Sequence, residues 1–284
     1  MATPPYKLLM LDIDGTLLND EGKITPRTRR AVAAAQAAGV VVALATARRH
    51  FSASVFAADL GLNGPVASYD GALIRLYPSG ERWHSSPLAA AIGQAAVDII
   101  TRHGLQPLAQ FDQDDGEHIL TGPASGDTPW SSLYFTIFAA QLERHPLDEL
   151  CAGERDPLRV VAFGPEDRLE QIAAALEHLP CQLYLNPRGS YDSAELSVMS
   201  PTTSKGDALS ILSSRLQLAP EQIMALGDSF NDLSMLRLAG LGIAMGQAPP
   251  EVRAVAHALT LPNTLDGAAI AIERYLLNGS APEE

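Results

Sequence analysis

The sequence of 284 residues predicts an α/β protein, with a parallel sheet built from both ends of the chain and an α+β domain inserted between them. The prediction rests on two observations. Apolar strands alternate with helices in residues 1–82 and again in residues 190–284, a pattern typical of parallel sheets with crossover helices. The intervening residues 83–189 lose this alternation, so we expect them to form the inserted domain.

The amino-terminal half of the core contains three predicted strands with helices between them. The first strand lies within the segment "KLLMLDID" and ends at its two aspartates, and the second spans Val40 to Thr46 in "VVVALAT". The helix between them has Thr25 as its N-cap and Pro26 at its first position, and Gly39 suits its C-cap. After a second helical segment, "PVASYDGALI" is predicted as the third strand.

The same alternation returns near the carboxyl terminus. In order, "SKGDALSILSSRLQ" is predicted as a helix, "QIMALGD" as a strand, "NDLSMLRLAG" as a helix, "LGIAMG" as a strand and "PPEVRAVAHA" as a helix. The middle of the chain differs, because "QFDQDDGEHILTGPASGDTPW" is acidic and rich in turn residues and the later strands are more widely spaced.

Composition and charge exclude several function classes. With 46% hydrophobic and 19% charged residues the chain is ordinary for a globular protein. A formal net charge of -13 opposes binding to a phosphate backbone, so no nucleic-acid partner is expected. No apolar run is long enough to span a bilayer, and we expect a cytoplasmic protein with no membrane partner. Cys151 and Cys181 match no metal or redox spacing, which favours free thiols. Oligomeric state is not predicted.

Asp12 and Asp14 place two carboxylates at the end of the first apolar strand. Burying a bare carboxylate is costly unless a cation compensates its charge. At the two-residue period of a strand both side chains would point the same way, and Gly15 would allow a sharp turn. The pair therefore indicates a site beside a cation. The alternative is an ordinary Asp-Gly turn with a solvated Asp12.

Two further polar residues stand where apolar elements end or begin. Thr46 follows the second strand, where a hydroxyl and main-chain N–H groups suit an oxyanion or phosphate; the alternative is a helix N-cap. Lys205 begins a helix and is one of only three lysines among 20 basic residues. It would be useful facing a phosphate, and the alternative is an exposed lysine.

The segment "IMALGDSFND" repeats the pattern of the first strand, because Asp228 follows an apolar run just as Asp12 does. Carboxylate-rich oxygen sites suit a hard ion such as Mg²⁺. Open α/β sheets bind ligands outside the carboxyl ends of their strands, so these polar groups are expected to converge there.

Taken in order, "DIDGT", Thr46, "SKG" and "GDSFND" resemble the four motifs of the haloacid dehalogenase superfamily of phosphohydrolases. The insertion after "SYDGALI" is similar to that of the Cof-like subfamily, whose C2-type cap domain lies there. Two positions depart from the pattern: Asp70 stands where asparagine is usual, and Ala47 where glycine is frequent. The resemblance implies a Rossmann-like core of residues 1–82 and 190–284 with a cap of residues 83–189 that selects the substrate.

The resemblance also implies a role for each site residue. Asp12 would be the nucleophile that forms an aspartyl phosphate, and Asp14 the general acid and base. Mg²⁺ would be held by Asp12, Asp228 and the main-chain carbonyl of Asp14. The implied phosphate-binding residues are Thr46, Ala47, Lys205 and Asn231, and Asp232 would orient the metal shell or Lys205.

The implied function is a Mg²⁺-dependent phosphatase acting on a small phosphorylated metabolite, such as a sugar phosphate. A phosphotransferase or phosphomutase is the alternative within enzymes, because an aspartyl phosphate can also be passed to a hydroxyl group. A sugar-phosphate sensor without activity is the alternative outside them. The cap is expected to close over the core site as a lid, with hinges near Glu81 to Trp83 and near residues 188–193. No residue of the cap predicts a particular substrate.

Overall fold

The computed structural model of the chain describes residues 5–113, 116–152, 155–187, 191 and 193–278. The chain divides into two compact units. The first unit contains Met1–His84 and Ser204–Glu284, and the second contains Ser85–Thr203.

The first unit alternates strands and helices from both ends of the chain. Its strands are β1 (Leu8–Leu11), β2 (Val41–Ala45), β3 (Gly64–Ser68), β4 (Leu73–Tyr77), β5 (Arg82–Ser85), β12 (Ile223–Gly227), β13 (Leu241–Ala244) and β14 (Ala258–Leu259). Its helices are α1 (Pro26–Ala37), α2 (His50–Asp59), α6 (Lys205–Leu216), α7 (Leu233–Leu238), α8 (Pro250–Val255) and α9 (Gly267–Ala271), the last continued by a wider helical turn, Ile272–Leu277.

The strands of the first unit form one sheet in the order β14-β13-β12-β1-β2-β3-β4-β5. Strands β14 to β3 of this order are parallel, whereas β4 is antiparallel to β3. The chain leaves β1 toward β2 and β3 on one side and later adds β12 and β13 on the other. A topological switch point therefore lies between β1 and β12, which is where open α/β sheets bind ligands.

Apolar side chains cover both faces of this sheet, because alternate strand residues point to opposite faces. On one face Leu9, Leu11 and Val42 pack with residues of α1, α2 and α9. On the other face Leu8 and Met10 pack with residues of α6, α7 and α8. The first unit is thus a three-layer α/β/α arrangement, and the predicted fold class is confirmed.

The first helix begins as the sequence predicts, with the Thr25 side chain accepting a hydrogen bond from the main-chain N–H of Thr28 at 3.2 Å. The third predicted strand is instead two antiparallel strands, β3 and β4. The chain reverses between them because Tyr69 and Asp70 adopt φ angles of 51° and 53°.

The second unit is built on an antiparallel sheet. Its strands are β6 (Pro107–Gln113), β7 (Gly116–Thr121), β8 (Leu142–Arg144), β9 (Arg159–Gly164), β10 (Gln182–Asn186) and β11 (Ala194–Met199), and its helices are α3 (Ala90–Arg102), α4 (Ser132–Ile137) and α5 (Glu166–Leu176). The strand order is β10-β11-β9-β6-β7-β8, with only β7 and β8 parallel among its described pairs. Residues of α3 and α5 cover one face, and a smaller aromatic cluster around Tyr134 covers the other.

The second boundary between the units differs from the expected position. Residues 190–203 were expected in the core, but β11 pairs with β9 and β10 in the sheet of the second unit, and the division falls between Thr203 and Ser204. The expected hinge at residues 188–193 lies largely outside the described residues. No helix of the described chain is long and apolar enough to cross a membrane. Cys151 and Cys181 are free thiols.

Candidate active site

Three of the predicted site residues follow neighbouring parallel strands. Asp12 comes directly after β1, Thr46 after β2 and Asp228 after β12. Strand β1 lies between β2 and β12, so the three residues stand at one edge of the sheet. The main-chain N–H of Asp12 still donates to the carbonyl of Leu226 at 3.0 Å, which fixes the point where the chain leaves the sheet.

Lys205 is the centre of a buried charge cluster. Its ammonium group contacts Oδ1 of Asp12 at 2.7 Å and Oδ1 of Asp232 at 2.6 Å. The side chains of Lys205, Asp12 and Asp232 are 1%, 6% and 0% exposed. The alternatives of an exposed Lys205 and a solvated Asp12 are therefore wrong, because both groups are removed from solvent and paired.

The charges of this cluster perturb one another. Burial acts to lower the pKa of Lys205, but the carboxylates of Asp12 and Asp232 hold it well above its ordinary value. Burial raises the pKa of Asp12 well above its ordinary value despite the attraction of Lys205. Burial, with the nearby charge of Asp232, raises the pKa of Asp228 to about 7. The site thus holds more carboxylates than one ammonium group can neutralise.

Asp232 organises the loop that carries Asp228. While Oδ1 binds Lys205, Oδ2 accepts hydrogen bonds from the main-chain N–H groups of Asp228 and Ser229, each at 2.9 Å. Both oxygens of this carboxylate are therefore engaged. The contact with Lys205 is one of the two that the resemblance implied for Asp232, the other being with the metal shell.

Two carboxylate oxygens of the cluster are suited to a cation. Oδ2 of Asp12 and Oδ1 of Asp228 are buried and have no hydrogen-bond donor among the described residues. Oxygens of Asp12, Asp228 and Asp232 lie within 4.8 Å of one another. An all-oxygen, carboxylate-rich donor set of this kind fits Mg²⁺.

Gly15 makes the close approach to Asp228 possible. Its φ of 78° is in the left-handed region, and a Cβ atom at this position would overlap the Asp228 carboxylate. Gln247 adds a contact that the sequence did not predict, since its side-chain NH₂ donates to the carbonyl of Gly15 at 2.6 Å and lies 3.4 Å from Asp228 Oδ2.

Asp14 is more exposed than the buried cluster and is paired with Arg48, although its charge still acts on Asp12 and Asp228. The guanidinium donates to both carboxylate oxygens, at 2.7 and 2.6 Å, and the Asp14 side chain is 50% exposed. The expectation that Asp12 and Asp14 share one strand is wrong, because β1 ends at Leu11 and residues Ile13–Leu17 form a tight turn. Arg48 was not predicted as a site residue, and its position directly after "TA" was the only available signal.

Thr46 is not the N-cap of α2, which begins at His50 with Arg49 as its cap. The Thr46 hydroxyl instead accepts from the main-chain N–H of Arg48 at 3.1 Å, and Thr46 is 1% exposed. A hydroxyl that accepts this bond still has its own hydrogen to donate to a ligand. Ala47 lies within the same turn and is half-buried.

Asn231 is held from two sides. Its NH₂ group donates to Oδ1 of Asp70 at 2.7 Å, and its carbonyl oxygen accepts from the Ser229 hydroxyl at 2.5 Å. The structure thus brings Asp12, Lys205, Asp228 and Asp232 together, and it places Asn231 on the same loop as the last two. Asp70 and Ser229 are contacts that no local sequence pattern predicted.

Comparisons with known proteins agree with this arrangement. A sequence model described as haloacid dehalogenase-like hydrolase matches residues 9–272. Two relatives are a 5-amino-6-(5-phospho-D-ribitylamino)uracil phosphatase of Bacillus subtilis, 25% identical over 97% of this chain and 99% of its own, and a pyridoxal phosphate phosphatase of Escherichia coli, 26% identical over 95% and 99%. A solved haloacid dehalogenase-like hydrolase from Bacteroides thetaiotaomicron superposes with a TM-score of 0.81 and 26% identity, covering 95% of this chain and all of that one.

Proposed function

The chain belongs to the haloacid dehalogenase-like hydrolase family and is a phosphatase, and we propose that it hydrolyses a small phosphorylated metabolite through an aspartyl phosphate on Asp12. One observation carries the proposal. Lys205 fixes one oxygen of the buried Asp12 carboxylate, while the other oxygen has no hydrogen-bond donor among the described residues. A buried carboxylate held in this way is oriented by its surroundings and can attack through one oxygen while the other faces the cation.

In the first step, an oxygen of Asp12 attacks the phosphorus atom and the bond from phosphorus to the leaving oxygen breaks. Asp14, protonated on one oxygen and accepting from Arg48 through the other, gives its proton to the leaving oxygen, so that an alcohol leaves and Asp14 becomes a carboxylate that pairs with Arg48 through both oxygens. The half-exposed position of Asp14, outside the buried cluster, supports this separate role.

In the second step, a water molecule attacks the phosphorus atom of the aspartyl phosphate and gives one proton to Asp14. The acyl phosphate bond breaks, inorganic phosphate leaves, and Asp12 returns to a carboxylate. Asp14 is then protonated again and ready for the next cycle.

Four groups are proposed to bind the phosphoryl oxygens. The Lys205 ammonium supplies positive charge, the Thr46 hydroxyl and the Asn231 amide supply hydrogens, and Ala47 supplies its main-chain N–H. Phosphoryl transfer depends mostly on positioning and on neutralising the charge of the oxygens that do not react, which suits this set of donors.

We assign Asp12, Asp228 and the main-chain carbonyl of Asp14 as the residues that would hold Mg²⁺. The two buried carboxylate oxygens without donors support this assignment. When bound, the ion supplies positive charge that reduces the repulsion between the Asp12 carboxylate and a phosphate dianion. Asp232 would keep Lys205 and the Asp228 loop in place.

The second unit, Ser85–Thr203, is proposed to recognise the leaving group. The two relatives named above are about equally similar to this chain, yet their names give different substrates, pyridoxal phosphate and a ribitylaminouracil phosphate. Their similarity therefore supports a class, small phosphate monoesters including sugar phosphates, and does not select one member.

The test is a panel of hexose phosphates, pyridoxal phosphate, flavin mononucleotide and nucleotides, assayed for phosphate release with Mg²⁺ and with no acceptor alcohol. We expect steady release from at least one member, loss of release in excess chelator, and no turnover by Asp12→Asn with an unchanged circular dichroism spectrum. Release that depends on an added sugar acceptor would indicate a phosphotransferase instead. Full activity after exhaustive dialysis against chelator would contradict the metal assignment.

A further inference from the structure

Asp70 occupies an unusual place for a carboxylate. It is 2% exposed, and its φ of 53° lies in the left-handed region, where aspartate and asparagine are the non-glycine residues most readily accepted. It belongs to the turn Tyr69–Gly71 that joins β3 to β4, and neither catalytic step described above uses it.

The turn connects the separate segments that carry the proposed phosphoryl-binding groups. The main-chain N–H of Asp70 donates to the carbonyl of Thr46 at 2.9 Å, and the Asp70 carboxylate accepts from Asn231 at 2.7 Å. The turn also packs closely against Ser204, the residue that precedes Lys205, because a Cβ atom on Gly71 would meet the carbonyl of Ser204 at 2.5 Å.

The contact between Asp70 and Asn231 determines how the amide is oriented. A carboxylate can accept but cannot donate, so the NH₂ group of Asn231 must face Asp70. The Ser229 hydroxyl donates to the amide oxygen on the other side, which agrees with the same orientation. The second hydrogen of the Asn231 NH₂ group has no acceptor in the described part of the chain and can be given to a ligand oxygen.

We propose that Asp70 is a positioning residue that orients the Asn231 amide toward a phosphoryl oxygen of the substrate. The proposal rests on the phosphatase function proposed above. The hydrogen-bond acceptor of Asp70 performs this role. Its negative charge acts in addition on Lys205, whose pKa it helps to raise. An asparagine at position 70 would accept the same bond through its side-chain oxygen without that charge.

The experiment compares kcat, KM and competitive inhibition by inorganic phosphate for the wild type, Asp70→Asn, Asp70→Gly, Asn231→Ala and the double variant Asp70→Gly/Asn231→Ala. Glycine removes the carboxylate and adopts the positive φ of position 70 without strain, whereas alanine would be strained there. Circular dichroism checks folding. Ser229→Ala, which removes the other contact of the amide, repeats the comparison in case Asp70→Gly does not fold.

We expect Asp70→Gly and Asn231→Ala each to lower kcat/KM by about tenfold or more and to weaken phosphate inhibition, while Asp70→Asn stays within about threefold of the wild type. The double variant is expected to lose less than the product of the two single losses, because the orienting contact of Asp70 requires Asn231. The proposal would be overturned if the loss in the double variant equalled the product of the two single losses. It would also be overturned if Asp70→Gly were unaffected, or if Asp70→Asn were as impaired as Asp70→Gly. A wild type without phosphate release would contradict the proposed function itself.

Discussion

Replacing Lys205 with methionine removes the ammonium group that contacts both Asp12 and Asp232 in the first unit. Methionine retains most of the volume of the lysine stem, so the packing loss is small compared with the electrostatic one. Removing one partner from a buried ion pair costs about 3–5 kcal/mol, because the remaining charge is left uncompensated. The side chains here are at most 6% exposed, so solvent screens them little. We therefore expect a loss of about 3–5 kcal/mol at pH 8 in the absence of divalent metal.

The loss should depend on pH in a defined direction. Burial already raises the pKa of Asp12, and Lys205→Met removes the positive charge that opposes this rise. The folded variant then binds a proton that the unfolded chain releases above its ordinary pKa of about 4, so its stability falls as pH rises above that value. The destabilisation at pH 5.5 should be smaller than at pH 8 by at least about 1 kcal/mol, because a tenfold difference in proton affinity between the folded and unfolded chain corresponds to about 1.4 kcal/mol.

Urea unfolding followed by tryptophan fluorescence measures this effect on the correct unit. The chain has two tryptophans, Trp83 in the first unit and Trp130 in the second. In a Trp130→Phe background, fluorescence therefore reports the unit that contains Lys205. Lys23→Met is the matched control, since Glu21, at the surface, is the one ion-pair partner of Lys23 among the described residues, and no measurable change is expected. A loss below about 1 kcal/mol at both pH values would refute the reasoning.

Three other predictions address the metal, the acid and the second unit. Burial raises the pKa of Asp228 to about 7, so protons compete with Mg²⁺ for this carboxylate. The thermal stabilisation by Mg²⁺ should therefore be larger at pH 8 than at pH 5.5, and Asp228→Asn should abolish this difference. An equal stabilisation by Mg²⁺ at both pH values would contradict the prediction. Arg48→Met removes the guanidinium that orients the half-exposed Asp14 and should lower kcat/KM by about tenfold or more with a hexose phosphate. The loss should be smaller with p-nitrophenyl phosphate, whose leaving group needs no proton. Equal losses with the two substrates, or a similar loss in the exposed control Arg29→Met, would argue against the role of Arg48. Replacing residues 85–203 with a flexible linker should abolish discrimination across the substrate panel if circular dichroism shows a folded core, and retained discrimination would place specificity in the first unit.

The core sheet, and the position of the site residues at the carboxyl ends of its strands, were predictable because both follow local rules. Apolar strands alternating with helices form parallel sheets, and the carboxyl ends of neighbouring parallel strands share one edge. Asp12, Thr46 and Asp228 each directly follow such a strand, so their convergence needed no knowledge of the loops.

The remaining contacts depend on loops that are distant in sequence, and no periodic pattern encodes them. Gln247 reaches Gly15, and Asp70 reaches Asn231, only because the sheet order brings these loops to one edge. The turn that carries Asp14 was missed because strand alternation was extended past Leu11, where Gly15 and its positive φ turn the chain. The strand Ala194–Met199 was assigned to the wrong unit because a short apolar strand carries no signal of its partner strands.

The central claim, a phosphoryl group carried by Asp12, can be measured directly. The enzyme is mixed with excess substrate and Mg²⁺, quenched in acid during steady turnover and reduced with borohydride, which converts an acyl phosphate of aspartate to homoserine. Peptide mass spectrometry then locates the modified residue. We predict homoserine at position 12, its absence in Asp12→Asn, and its absence without substrate. Turnover without any reduced residue, or with homoserine at another aspartate, would contradict Asp12 as the nucleophile.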